Sequence, residues 1–158
     1  MIFVTVGTHD KPFKRLLVEI QRLIDKGVIK DKVIVQAGST KFESKDMTIL
    51  DLIPMDEFNK YISECDLLIT HGGVGSITDA LKKNKKVIAV PRMVEYNEVV
   101  NDHQMQIIEN FSKVGYIIGT RDVSEIENAL KKVKKFKPKK FISNTDNFIK
   151  LIEEKINE

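Results

Sequence analysis

The chain reads as an α/β protein built on a parallel sheet with helices on both faces. Three observations predict this. Short apolar runs alternate with segments of helical periodicity from residue 2 to about residue 135. Several of those runs are continuous Val/Ile/Leu without polar alternation, as expected of strands covered on both faces. Glycine-bearing or polar loops follow the predicted strands at one end, whereas the other ends carry plain turns such as Lys26-Gly27 and Lys83-Asn84-Lys85. Repeated strand–helix alternation folds as right-handed βαβ units. Ligands of such sheets bind beyond the carboxyl ends of the strands.

The elements follow in order. Strands are predicted at 2–6, 32–36, 48–52, 67–70, 86–90 and 116–118, and helices at 13–26, 56–64, 76–83, 99–113 and 123–135. The first helix is the clearest, because Phe13, Leu16, Leu17, Ile20, Leu23 and Ile24 share one helical face. A last amphipathic helix is predicted at about 144–157, with Phe148, Ile149, Ile152 and Ile156 on one side. It either folds back on the sheet or covers a partner. The loops after the strands then gather on one rim: Gly7-Thr8-His9-Asp10, Ala37-Gly38-Ser39-Thr40, His71 to Ser76, and Pro91-Arg92.

Bulk properties narrow the function classes. With 158 residues, 42% hydrophobic and 31% charged, the chain is expected to form one soluble domain over 1–158. No apolar run reaches membrane-spanning length and the N-terminus opens directly on a strand, so a cytoplasmic protein is expected. The single cysteine, Cys65, lies in an apolar patch and is expected to be a buried structural thiol rather than a nucleophile. The formal net charge is +3, yet seven lysines fall between Lys131 and Lys140, which leaves the rest of the chain net acidic. That run reads as a solvated helix end or as a contact to anionic lipid headgroups. Nucleic acid is disfavoured, because no aromatic stacking platform accompanies the charge.

The stretch Leu67-Leu68-Ile69-Thr70-His71-Gly72-Gly73-Val74-Gly75-Ser76-Ile77-Thr78-Asp79 carries the chemistry. A buried strand breaks into three glycines and resumes as a helix. One reading is a tight turn and a capped helix, with Ser76 at the N-cap and Asp79 three residues on. The other is an anion cradle, in which glycines let the backbone approach and the helix N-terminus supplies free N–H groups and partial positive charge. Three glycines exceed what a cap requires, which favours the cradle. The stretch lacks the P-loop lysine, and its spacing is not the dinucleotide fingerprint, so flavin and NAD are disfavoured.

Together, Val4-Thr5-Val6-Gly7-Thr8-His9, His71-Gly72-Gly73-Val74-Gly75-Ser76, Pro91-Arg92 and Asn101-Asp102-His103-Gln104 resemble a known group. They look like the C-terminal, sugar-nucleotide-binding half of the MurG-type glycosyltransferases of family 28. The nearest likeness is to small stand-alone members of bacterial capsule and exopolysaccharide systems, the PssE/EpsF-like subunits. Eukaryotic counterparts form the cytosolic subunit of the transferase that adds the second N-acetylglucosamine to dolichol-linked sugar.

The resemblance implies a Rossmann-like half of a GT-B enzyme. It implies the donor-binding, catalytic subunit of a two-component inverting glycosyltransferase, moving a sugar from a UDP-sugar to a lipid-linked acceptor in polysaccharide biosynthesis. A membrane-anchored partner would supply the acceptor domain and hold this chain at the inner face of the membrane. The alternative is a non-catalytic subunit that stabilises a partner transferase. Apolar surface left by the missing domain would pair two copies of an isolated chain. A third reading is a nucleotide-dependent hydrolase or epimerase on a similar fold; epimerases of this type carry a two-domain chain, which 158 residues do not fit.

Residue roles follow from the same resemblance. Gly72, Gly73, Val74, Gly75 and Ser76 would present backbone N–H groups to the diphosphate beside His71, with Gly7, Thr8 and His9 as a second wall. Asp79 stands at the acidic position that accepts from ribose hydroxyls, where glutamate is common; its bland role is favourable charge in the first helical turn. His103 and Gln104 match the sugar-contacting pair, against an exposed helix start. Arg92 would neutralise phosphate or support its loop, and Glu95 and Asn97 would touch sugar or uracil. His9 is a weak candidate for general base. No Asp-x-Asp motif occurs, so neither a cofactor nor an obligatory metal is expected.

Overall fold

The computed structural model describes residues 1–7 and 11–141. Thr8, His9 and the helix expected at about 144–157 lie outside the described residues. Six parallel strands form one sheet: β1 (Ile2–Thr5), β2 (Val33–Gln36), β3 (Met47–Leu50), β4 (Leu67–Thr70), β5 (Lys86–Ala89) and β6 (Ile118–Gly119). Their spatial order is β3-β2-β1-β4-β5-β6, a sheet wound outward in both directions from β1 and β4. The switch of winding direction places a crevice at the carboxyl ends of these central strands.

Five helices cover the sheet: α1 (Lys14–Asp25), α2 (Met55–Glu64), α3 (Val74–Lys82), α4 (His103–Val114) and α5 (Ile126–Val133). Strand residues alternate between two core layers, as a pleated sheet requires. Val4, Val35, Ile69 and Ile88 pack with Leu16, Leu17 and Ile20 of α1 and with Leu130 and Val133 of α5. Phe3, Ile34, Leu68 and Val87 pack with Ile62 of α2, Ile77 and Leu81 of α3, and Ile108 and Phe111 of α4. Burying a side chain of this size contributes about 1.5–3 kcal/mol.

The expected strand–helix order holds, with shifted boundaries. Helix α3 starts at Val74, two residues before Ser76. Helix α4 starts at His103 rather than at 99, because a 3-10 turn at Val94–Tyr96 ends on Asn97 in the left-handed region (φ 55°). Strand β6 falls at Ile118–Gly119 rather than 116–118. Gly115 at φ +93° closes α4, and Tyr116 and Ile117 are buried before pairing with β5 begins.

Cys65 is buried, and its Sγ donates to the carbonyl of Ile62 at 3.2 Å. Burial pushes its thiol up from the ordinary value. The folded chain is therefore expected to resist alkylation at pH 8 and to react fully once unfolded in guanidinium, a contrast read by mass spectrometry.

The lysine run lies at the sheet edge opposite the strand carboxyl ends. Helix α5 ends there at Val133, whose carbonyl accepts from Lys86 Nζ at 2.9 Å, and Lys139 N–H donates to Gly115 at 2.9 Å. Among the described residues, no helix is long and apolar enough to cross a membrane.

Candidate donor-binding cleft

Four glycines follow β1 and β4, in close packing or open space for different reasons. A Cβ on Gly73 would lie 2.5 Å from His71 Cε1, and one on Gly7, itself at φ +81°, would enter the same ring. A Cβ on Gly72 would lie 2.8 Å from the backbone oxygen of Gln104, at the start of α4. These three glycines seat His71 and α4 against the strand ends. Gly75 differs, since a Cβ there meets nothing within 4 Å.

The structure corrects the capping scheme. Gly73 is the N-cap of α3 and Ser76 is its third residue, with no side chain capping the end and no acid in the first turn. The first intrahelical bond runs from Ile77 N–H to Gly73 C=O at 3.2 Å, so the N–H groups of Val74, Gly75 and Ser76 precede it. Asp79 lies beyond the first turn, so a first-turn charge effect is not its role. An uncapped helix end of nine residues carries about half a positive charge with nothing acidic on it to offset it.

That end opens on a cleft of about 280 Å³. Its polar wall is Gly73, Gly75, Ser76 and Asp79, and its apolar wall is Leu52 and Ile53 after β3 with Met55 and Phe58 of α2. The floor is Thr5, Gly7, Gln36 and His71. There, Gly7 N–H donates to Thr5 Oγ1 at 3.2 Å, and Thr5 Oγ1 donates to Gln36 Oε1 at 2.6 Å. Sequence reasoning brought Gly7, His71, Gly73, Gly75, Ser76 and Asp79 here. It missed Thr5, Gln36 and the apolar wall. The available signal for Gln36 was a polar residue ending an otherwise apolar strand at the ligand-bearing edge.

Arg92, Glu95, Asn97, His103 and Gln104 are not among the residues that line this cleft. Arg92 is 1% exposed. Its Nη1 donates to the carbonyls of Lys11 (2.6 Å) and Glu98 (2.9 Å), and its Nη2 to that of Val6 (2.5 Å). Burial pushes its pKa down to about 10. Of its two expected roles, loop support is the one this geometry serves; every one of these contacts is to backbone. Gln104 is half-buried rather than exposed, and its Oε1 accepts from Arg92 N–H at 3.3 Å. His103 is also half-buried, with its N–H donating to Asn101 Oδ1 at 3.1 Å. Glu95 is exposed on the 3-10 turn, and Asn97 Oδ1 accepts from Lys11 Nζ at 3.1 Å.

A clasp that the sequence did not announce holds this second set of loops. Arg15 of α1 grips the buried Glu98 carboxylate through Nε (2.8 Å) and Nη2 (2.9 Å), and donates from Nη1 to Asp122 at 3.0 Å. Its guanidinium lies 3.9 Å from the Tyr96 ring centroid. Glu98 also accepts from Met93 N–H at 3.0 Å. Burial acts to raise the Asp122 pKa, but hydrogen bonds from Ser124 and Arg15 outweigh it and hold the carboxyl below its usual range. The loops after β1, β5 and β6 are thereby tied into one rim.

A wound parallel sheet with an uncapped helix end in its carboxyl-edge crevice is a Rossmann-like architecture with a place for an anionic ligand. The chain belongs to the glycosyltransferase family 28 C-terminal domain family, whose model matches residues 1–156. It is 31% identical over 110 residues to the UDP-N-acetylglucosamine transferase subunit ALG13 of Candida albicans, covering 70% of this chain and 32% of that one. The chain thus spans about a third of that relative's length. Its fold matches the solution structure of ALG13 with a TM-score of 0.58 at 21% identity, over 99% of this chain and 96% of that one. It also matches MurG of Acinetobacter baumannii with a TM-score of 0.55 at 16% identity, over 84% and 40% of the two chains.

Proposed function

We propose that this chain is the donor-binding, catalytic subunit of a two-component inverting glycosyltransferase that uses a UDP-sugar and a lipid-linked acceptor. The observation that carries the reading is the uncapped N-terminus of α3, with open space over Gly75, set between Asp79 and an apolar wall. The diphosphate would lie on the N–H groups of Val74, Gly75 and Ser76. Asp79 would accept from the ribose, and the uracil would lie against Leu52, Ile53 and Phe58. As the acceptor hydroxyl attacks the anomeric carbon, negative charge grows on the departing UDP, and the fixed helix dipole stabilises it without reorganising. A general base takes the hydroxyl proton. We leave that base unassigned between His9 and the partner, and we propose no obligatory metal.

Exposed apolar side chains support a partner at this rim. Leu52, Met55, Val94, Tyr96 and Val100 are all exposed, and all lie on loops or helix starts at the carboxyl edge. A membrane-anchored acceptor subunit seated there would bury them and close the cleft. It would also place the chain at the membrane's inner face. N-acetylglucosamine is the first sugar to test, since the Candida relative is named for it. The names of the relatives carry nothing on capsule or exopolysaccharide assembly; that setting rests on the resemblance alone.

The test is transfer by the complex reconstituted with its membrane-anchored partner. Asp79→Ala is expected to lower transfer at least about tenfold, the loss of one hydrogen bond to a charged acceptor, while leaving the complex intact. Unchanged transfer would instead identify a stabilising subunit.

A further inference from the structure

We infer that Gln36 is a direct contact of the nucleotide, donating from its carboxamide nitrogen to a ligand oxygen at the cleft floor. The inference rests on the donor-site reading above and deepens it.

Hydrogen-bond bookkeeping fixes the orientation of this side chain. The Thr5 hydroxyl has one proton, and one of its lone pairs is taken by Gly7 N–H. Thr5 Oγ1 donates that proton to Gln36 Oε1 at 2.6 Å, a length ordinary for O–H···O and short for an amide N–H donor, which turns the amide oxygen toward Thr5. The two N–H groups of Nε2 are left over. Gln36 is 3% exposed, and its Nε2 makes no hydrogen bond to any described residue. Nε2 is not among the fully buried side-chain atoms that lack a partner, so it reaches the cleft, where a ligand acceptor can take the place of water.

Its place says what that use is. In register across the sheet, Gln36 of β2 stands beside Thr5 of β1, and Thr5 beside Thr70 of β4. The carboxamide thus lies between the apolar wall that follows β3 and the helix end that follows β4. A ligand spanning that interval presents acceptors on either side, a base carbonyl toward Leu52 and Ile53 or a phosphate oxygen toward Gly75. Both accept from an amide. A cation does not match a pair of donors beside a positive helix end.

Two variants and one spectrum test this. In 15N–1H spectra of the chain, the Gln36 side-chain pair is identified by its loss in Gln36→Met, which keeps the volume and removes the donors. Titration with UDP is expected to move that pair saturably, together with the Gly75 and Ser76 backbone amides. Uridine and inorganic pyrophosphate, run in parallel, show whether base or phosphate supplies the acceptor. Gln36→Met is expected to weaken UDP binding about tenfold in a chain that still melts cooperatively. Gln36→Glu keeps the Thr5 contact but carries a charge and no donor, and is expected to weaken it further. If Gly75 and Ser76 respond while Gln36 stays still, or Gln36→Met binds like wild type, the inference is overturned and the donor site stands. If none of these amides responds to UDP, both are overturned.

Discussion

Replacing Arg92 with alanine is expected to destabilise the fold by about 3–5 kcal/mol, the largest effect of any single change at this rim. Its guanidinium donates to three loop carbonyls, those of Val6, Lys11 and Glu98, and lies 5.3 Å from the Phe13 ring centroid. Removal strands buried acceptors and opens a void at once. At this chain length the melting temperature should fall by about 10 °C or more in thermal circular dichroism. Arg92→Lys should not restore it, because one ammonium cannot reproduce a planar fork that reaches two loops. A loss below about 1 kcal/mol would mean that the loops after β1 and β5 are not held by this residue.

Gly75→Ala is expected to act in the opposite sense on the fold and still to weaken nucleotide binding. Gly75 is the second residue of α3, and no atom stands within 4 Å of where its Cβ would be. Glycine in a helix is worse than alanine by roughly 0.5–1 kcal/mol, so the variant should melt about 2 °C higher. The added methyl occupies the space over the helix end that the diphosphate needs. Binding of UDP should drop at least about tenfold. Gly72→Ala makes the control, since its Cβ collides with Gln104 and should cost stability and binding together. A Gly75→Ala chain that is more stable and binds UDP as well as wild type would remove the ligand from this helix end.

The fold was legible because its signals are local and repeated. Buried parallel strands such as Leu67–Thr70 advertise themselves as unbroken apolar runs, and α1 as a helical stripe of Phe13, Leu16, Leu17 and Ile20. The glycine turn was legible as an anomaly, though not which glycine serves what. Gly7, Gly72 and Gly73 answer to the His71 ring and to Gln104, contacts across long sequence separations that no local pattern encodes. Ser76 misled for a related reason: a good capping residue lies two positions inside a helix that begins earlier, where the N–H groups stay uncapped. The Arg15–Glu98–Asp122 clasp was illegible, because charged residues far apart in sequence look like solvated surface until the fold brings them together.

The central claim is that the N-terminus of α3 holds the diphosphate of a UDP-sugar, and calorimetric titration of the purified chain tests it most directly. UDP would be measured beside UDP-N-acetylglucosamine, UDP-galactose, UDP-glucose and UDP-glucuronic acid, on wild type and on Asp79→Ala. Saturable UDP binding that weakens at least about tenfold in Asp79→Ala is the predicted result, with the tightest sugar nucleotide naming the donor. Heats that never saturate with any of the five nucleotides, on a chain that melts cooperatively, would contradict it.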